Sequence, residues 1–173
     1  MTQSNEQLYE QLVERHATDV YHYFHHWGYS RAEVHDLSQE AFLEAWKSLS
    51  SYRGDSSLKV WMLTICKRIA WRRARDHAKS KELLTETFFE SIHPSVDGQR
   101  VLEQKALLRA IAQHLPRLKE AQREVLYLFY HQELSEREIS ELLGTPQGTI
   151  HSRLHNARKQ LRLYCQLVTE PRS

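Results

Sequence analysis

Between Ser135 and Leu161 the chain carries a helix start, a hard stop and a second helix start. Ser135-Glu136-Arg137-Glu138 fits a capping box, in which the Ser135 hydroxyl accepts from the Glu138 amide while the Glu138 side chain reaches back. The short helix that follows has Ile139, Leu142 and Leu143 to bury. It then meets Gly144, which takes the left-handed conformation of a helix end at little cost. Thr145 is expected as a second N-cap and Pro146 as the first helical residue, where a missing amide hydrogen is harmless. Ile150, Leu154, Ala157 and Leu161 follow at spacings of four, three and four, one apolar stripe of a longer helix. The rest of that helix holds Gln147, Thr149, His151, Ser152, Arg153, His155, Asn156, Arg158 and Lys159. A short helix, a glycine turn and a longer helix rich in amides and cations make a DNA-reading helix-turn-helix. A solvated helical hairpin is the bland alternative, but solvated helices usually mix charge signs. No carboxylate occurs from Leu142 through Leu167.

The remainder of the chain is helical in pattern as well. No sustained alternation of apolar and polar residues occurs, nor an Asn-Gly or Asp-Gly hairpin turn. Leu8, Leu12, Ala17 or Val20, and Tyr21 with Phe24 define a first amphipathic helix, interrupted at Trp27-Gly28-Tyr29-Ser30. A second helix from about Ala32 to Leu49 is expected to bury Val34, Leu37, Ala41, Phe42, Ala45 and Trp46. After the turn residues Ser51 to Ser57, a third helix from about Leu58 to His77 has Leu58, Trp61, Met62, Ile65, Ile69 and Ala70 as its stripe. Regularity fades through Phe88, Phe89 and His93-Pro94-Ser95-Val96-Asp97-Gly98, the best linker segment. It resumes near Val101 with Leu102, Ala106, Leu107, Ala110 and Ile111. Beyond Pro116, another helix is expected to bury Val125, Leu126, Leu128 and Phe129. The expected fold class is all-α: two small helical domains, 1–81 and 105–168, joined by an acidic linker over 82–104.

A net charge of +2 conceals strong segregation. Residues 1–46 carry −6, residues 47–81 carry +8, residues 82–104 carry −4, residues 105–141 balance, and residues 142–173 carry +4. Two basic blocks flanking an acidic one suggest two anion-binding surfaces and at least one surface for something other than DNA. With 40% hydrophobic and 27% charged residues, 5 Gly and 4 Pro, the composition excludes collagen-like and wholly disordered chains. No apolar run approaches the roughly 20 residues that span a bilayer, and no signal peptide is evident. Cys66 and Cys165 lie in unrelated helices, so no disulfide framework is expected. A cytoplasmic protein without membrane insertion is the expectation.

The third helix combines Lys59, Lys67, Arg68, Arg72, Arg73, Arg75 and Lys79 with Trp61 and Trp71. Cations supply phosphate affinity independent of sequence, and flat rings stack on exposed bases. That combination suits opened DNA, with core packing as the alternative for Trp61. The preceding turn, Arg53-Gly54-Asp55-Ser56-Ser57, can present polar groups to a base. The second helix, Asp36 to Trp46, is acidic outside and aromatic inside, and suits a protein partner or plain solvent.

The segment Asp36-Leu-Ser-Gln-Glu-Ala-Phe-Leu-Glu-Ala-Trp46, then Tyr52-Arg-Gly-Asp-Ser-Ser57 and Val60-Trp61, resembles region 2 of bacterial extracytoplasmic-function sigma factors. Leu115-Pro116, Arg123-Glu-Val-Leu-Tyr-Leu128, Leu134 to Ile139 and Gly144 to Arg158 resemble region 4. Nearly the whole chain is covered, in order. The resemblance implies a transcription initiation factor, with no catalysis and no cofactor or metal of its own. Asp36, Gln39, Glu40 and Glu44 would dock on the clamp helices of core RNA polymerase. Arg53, Asp55, Ser56, Lys59, Trp61, Lys67, Arg68, Trp71, Arg72 and Arg75 would recognise and open the minus-ten element of promoter DNA. Region 4 would sit on the polymerase flap and place residues 146–159 in the major groove of the minus-thirty-five element. The linker would thread toward the active site and RNA exit path. Many relatives are held inactive by an anti-sigma factor.

Departures from the family pattern bear on promoter sequence. His151 stands where Lys or Arg is common, Asn156 where Arg is common, Arg68 for a common Asn and Thr64 for a common Arg. Asn favours adenine where Arg favours guanine, and a neutral His151 attracts phosphate weakly. Two other functions fit the residues less well. A stand-alone helix-turn-helix regulator leaves both the acidic helix and the aromatic-cation helix without a role. A metal-dependent hydrolase could draw on 11 histidines, with His22 and His26 at ligand spacing. It lacks a His-Glu-x-x-His arrangement, a cysteine cluster and a glycine-rich phosphate loop.

Overall fold

A computed structural model describes residues 4–76, 111 and 113–169, with side chains at all of these except 76 and 165–169. The described residues form helices and turns, without a strand. The chain divides into two compact units, Met1–Leu83 and Leu84–Ser173. The expected linker over 82–104 lies outside the described residues, as do Phe88, Phe89 and the expected helix residues Val101, Leu102, Ala106, Leu107 and Ala110.

In the first unit, α1 (Asn5–His26), α2 (Arg31–Ser48) and α3 (Leu58–Asp76) each pack on the other two. Serine capping boxes start α1 and α2: Ser4 with Gln7, and Ser30 with Glu33. Each satisfies backbone N–H groups that a helix start otherwise leaves without partners. The core joins Leu12, Val20, Tyr23 and Phe24 of α1 to Val34, Leu37, Ala41 and Ala45 of α2. From α3 it takes Val60, Met62, Leu63, Ile65, Cys66 and Ile69, while Leu58, Trp61 and Ala70 are half-buried.

Three expected core positions fall elsewhere. Tyr23 rather than Tyr21 enters the α1 stripe, because it lies about three helical turns after Leu12. Tyr21 instead stacks on His25 at the surface, their ring centroids 5.9 Å apart. Trp46 is 47% exposed and meets Tyr9 edge-on at 5.0 Å, and Phe42 is half-buried. Trp46 follows Ala45 by one residue, about 100° round the helix, so it turns away from the face that Ala41 and Ala45 bury.

In the second unit, residues 111, 113 and 114 are helical and are followed by a 3-10 turn at Leu115–Arg117, α4 (Glu120–Tyr130), α5 (Glu136–Leu143) and α6 (Gln147–Thr169). Val125, Leu126, Tyr127 and Leu128 are buried on α4, while Phe129 is half-buried. Helix α6 packs on both α4 and α5 through Ile150, Leu154 and Ala157, all fully buried. Leu143 and Leu161, expected in this core, are half-buried at its edge. Between α4 and α5, the buried Gln132 donates from Nε2 to the Tyr127 hydroxyl at 2.8 Å. Glu133 follows in the left-handed region, with φ 53°.

The backbone at the two ends of α5 makes opposite predictions. Gly144→Ala is expected to lower stability by about 1–2 kcal/mol, the cost of a Cβ in the left-handed region. Its added methyl meets nothing within 4 Å, so the loss is conformational. Glu133→Gly is expected to raise stability by about 1 kcal/mol for the same reason. Urea unfolding of the full chain, followed by circular dichroism, checks both signs.

Candidate nucleic-acid interface

The helix-turn-helix is assembled by local bonds. The Glu138 amide donates to Ser135 Oγ at 3.3 Å, and the Ser135 amide donates to Glu138 Oε2 at 3.0 Å. Gly144 ends α5 with φ 61° and ψ 34°. The second helix begins one residue later than its sequence suggests: the Pro146 carbonyl is the acceptor for the Thr149 and Ile150 amides. Thr145 joins the end of α5 instead. Its amide donates to the Ser140 carbonyl at 3.2 Å, and its own carbonyl accepts from the Ser140 hydroxyl at 2.7 Å. The turn is thereby tied to α5 as well as to α6.

With Ile150, Leu154 and Ala157 inward, Gln147, His151, Ser152, His155, Asn156 and Lys159 are exposed, and Thr149, Arg153 and Arg158 are half-buried. Arg158 is held against α4: its Nε donates to the Tyr130 hydroxyl at 2.9 Å and its guanidinium lies 4.9 Å from the Phe129 ring centre. His151 Nδ1 lies 3.2 Å from both carboxylate oxygens of Glu136. The α6 sequence carries no acid beside His151, yet the fold brings one from α5.

On the first unit, the last turns of α3 are open. Trp71 is 77% exposed, and Arg68, Arg72, Arg73 and Arg75 are exposed along the same stretch. In the turn before α3, Arg53 and Asp55 are exposed and Ser56 is half-buried, its carbonyl accepting from the Tyr52 hydroxyl at 2.7 Å. Gly54, at φ 77°, lets the chain reverse there. Trp61 is half-buried beside Tyr52, the ring centroids 5.2 Å apart. Lys67 is half-buried as well. Lys59 Nζ is bound 3.0 Å from Asp19 Oδ1, and His16 Nδ1 approaches the other oxygen at 2.9 Å. Burial raises the Asp19 pKa, but the hydrogen bonds from His16 and Lys59 outweigh it and hold the carboxyl below its ordinary value.

The acidic face of α2 divides in two. Asp36 and Gln39 are exposed, and Leu43 at 59% and Trp46 extend the same face at spacings of three, four and three. Sequence reasoning assigned Trp46 to the core and passed over Leu43; the spacing from Asp36 was the signal. Glu40 and Glu44 turn toward α3. Arg72 bonds both carboxylates, reaching Glu44 at 3.0 Å, and Arg68 reaches Glu44 at 3.1 Å. Burial would raise the Glu44 pKa, yet the bonds from Arg72 and Arg68 prevail and lower it. Residues read as facing two different partners therefore pair with each other in the free chain. Among the described residues, no three His, Cys, Asp or Glu side chains converge as a metal-binding group, and no helix is long and apolar enough to cross a membrane.

A depressed carboxyl pKa adds stability above its unfolded value, near 3.9, that is lost as pH falls through the lower folded value. Asp19→Asn is therefore expected to be less stable than the parent at neutral pH. The difference should shrink below about pH 4. Unfolding curves of both proteins at a series of pH values check this; a constant difference would count against the ion pair.

Comparison with known proteins matches residues 12–89 to the family described as Sigma-70 region 2 and residues 108–161 to Sigma-70, region 4. The RNA polymerase sigma factor YlaC of Bacillus subtilis is 31% identical, over 92% of this chain and 90% of that protein. The ECF RNA polymerase sigma factor SigW of the same organism is 29% identical, over 75% of this chain and 74% of that one. Among solved structures, the sigma factor RpoE from Bartonella quintana, crystallised with the anti-sigma factor NepR, aligns with a TM-score of 0.64 at 22% identity. That alignment covers 94% of this chain and 98% of RpoE. CnrH, in complex with the cytosolic domain of CnrY, aligns at 0.62 and 23%, covering 94% and 90%. At such identities these two structures speak to the fold.

Proposed function

The chain belongs to the sigma-70 family of RNA polymerase sigma factors, in its extracytoplasmic-function group, and from that membership we propose how its two units divide the work of promoter recognition. It is a transcription initiation factor that directs core RNA polymerase to promoters. The observation that carries the division is the exposed, acid-free outer face of α6 behind a glycine-capped turn, in one chain with a second exposed basic and aromatic surface on α3.

Helix α6 lies in the major groove of the minus-thirty-five element. Asn156 and His151 meet base edges; Gln147, Thr149, Ser152, Arg153, His155, Arg158 and Lys159 serve the neighbouring backbone and bases. Arg158 acts from a fixed position, because Phe129 and Tyr130 hold it. On the first unit, Trp71 and the arginines around it receive the opened minus-ten strand, with Arg53, Asp55 and Ser56 at the turn. Trp61 supports this surface from beside Tyr52. Asp36, Gln39, Leu43 and Trp46 form the polymerase-facing stripe, with Glu40 and Glu44 tied behind it to Arg72 and Arg68. The domain boundaries follow the same division: 1–81 for core binding and minus-ten opening, 105–168 for the minus-thirty-five element, and 82–104 as linker. The protein works in the cytoplasm, makes and breaks no bond itself, and is open to inhibition by an anti-sigma protein.

In vitro transcription with core polymerase on a promoter library tests this reading, and initiation on no promoter would overturn it. A stand-alone regulator would bind DNA without co-eluting with core polymerase on gel filtration. Asn156→Ala is expected to relax preference at one minus-thirty-five base by roughly 1–3 kcal/mol; uniform weakening across promoters would count against base reading. Trp71→Ala is expected to slow strand opening, read by permanganate reactivity of the minus-ten bases, with a smaller loss of initiation on a template opened in advance.

A further inference from the structure

His151 stands at a base-facing position of α6, and the fold supplies it with a carboxylate from another helix. Its Nδ1 is 3.2 Å from both oxygens of Glu136, in the first turn of α5. The imidazole is 69% exposed and the carboxylate 25%. One turn away on its own helix stand Gln147 and His155, neither of them acidic. An ionised carboxylate has no proton to donate, so the hydrogen in this contact belongs to Nδ1. In the neutral ring, Nε2 is then left as a bare acceptor.

We propose that Glu136 is a positioning residue for promoter reading: it fixes His151 as the Nδ1–H tautomer, so that His151 offers an acceptor to the major groove and selects a base carrying an amino group there. The inference rests on the reading of α6 as the groove-facing helix. In the major groove only adenine N6 and cytosine N4 present donors; guanine and thymine present acceptors. Phosphate oxygens are acceptors too. Neutral His151 therefore favours adenine or cytosine at its position and is unsuited to anchoring phosphate, unlike the Lys or Arg common there. Without Glu136 either tautomer is open, and the base preference loses its basis.

The tautomer is read directly from a long-range proton–nitrogen NMR spectrum of the nitrogen-15-labelled full chain at about pH 8, above the ordinary imidazole range. The His151 signals are assigned by their loss in His151→Asn. A dominant Nδ1–H pattern that becomes mixed in Glu136→Ala is expected, and a dominant Nε2–H pattern in the parent would overturn the proposal. The consequence is read by transcription from a library varied across the minus-thirty-five element at the same pH. The parent should favour adenine or cytosine at one position by roughly tenfold. That preference should collapse in Glu136→Ala and in His151→Ala, with the double variant no more relaxed than His151→Ala alone. An unchanged preference in Glu136→Ala, or a uniform loss over all promoters, would overturn it. Initiation by the parent on no promoter would remove the function and the promoter reading together. The tautomer, measured without polymerase or DNA, separates that failure from a wrong assignment of the proton.

Discussion

Burial of Ile150, Leu154 and Ala157 against α4 and α5 decides what the rest of the second unit presents. A fully buried aliphatic side chain contributes roughly 1.5–3 kcal/mol, whereas an exposed ion pair contributes about 1 at most. The apolar stripe therefore sets the rotation of α6 about its axis, and the polar side chains follow. Ser152, His155, Asn156 and Lys159 point outward because the opposite face is committed. The Gly144 turn sets the angle at which α6 leaves α5, and the Ser140–Thr145 bonds hold it there.

In the first unit, packing again comes first and charge second. Ala41 and Ala45 are buried, and the adjacent Glu40 and Glu44 turn toward α3, where they pair with Arg68 and Arg72. Those exposed pairs add little to stability, but they alter availability. An arginine already holding a carboxylate must release it before taking another anion, and Glu40 and Glu44 are turned away from the stripe of Asp36, Gln39, Leu43 and Trp46. Lys59, bound to the half-buried Asp19, is committed more firmly still.

Much of this was legible in the residues. The Ser135 capping box, the Gly144 stop and the α6 stripe from Ile150 to Ala157 are local devices, set by residues a few positions apart, and they appear where expected. The start of α6 moved by one residue because Ser140 competes for Thr145, a bond between elements rather than within one. Tyr21 and Trp46 were misplaced for another reason. Hydropathy marks both as apolar, but their angular position about the helix, relative to buried Leu12 and Tyr23 on α1 and to buried Ala41 and Ala45 on α2, turns them outward.

By itself the sequence determined the helical class and the position of the helix-turn-helix, because caps, glycine stops and apolar periods act within a few residues, and its longer motifs carried the resemblance to the family. Only the tertiary structure decided which charged groups are available. Glu136 reaches His151, Asp19 reaches Lys59, and Glu44 reaches Arg68 and Arg72 across 15, 40, 24 and 28 residues of chain. Contacts of that range depend on how whole helices pack, and no local pattern encodes them.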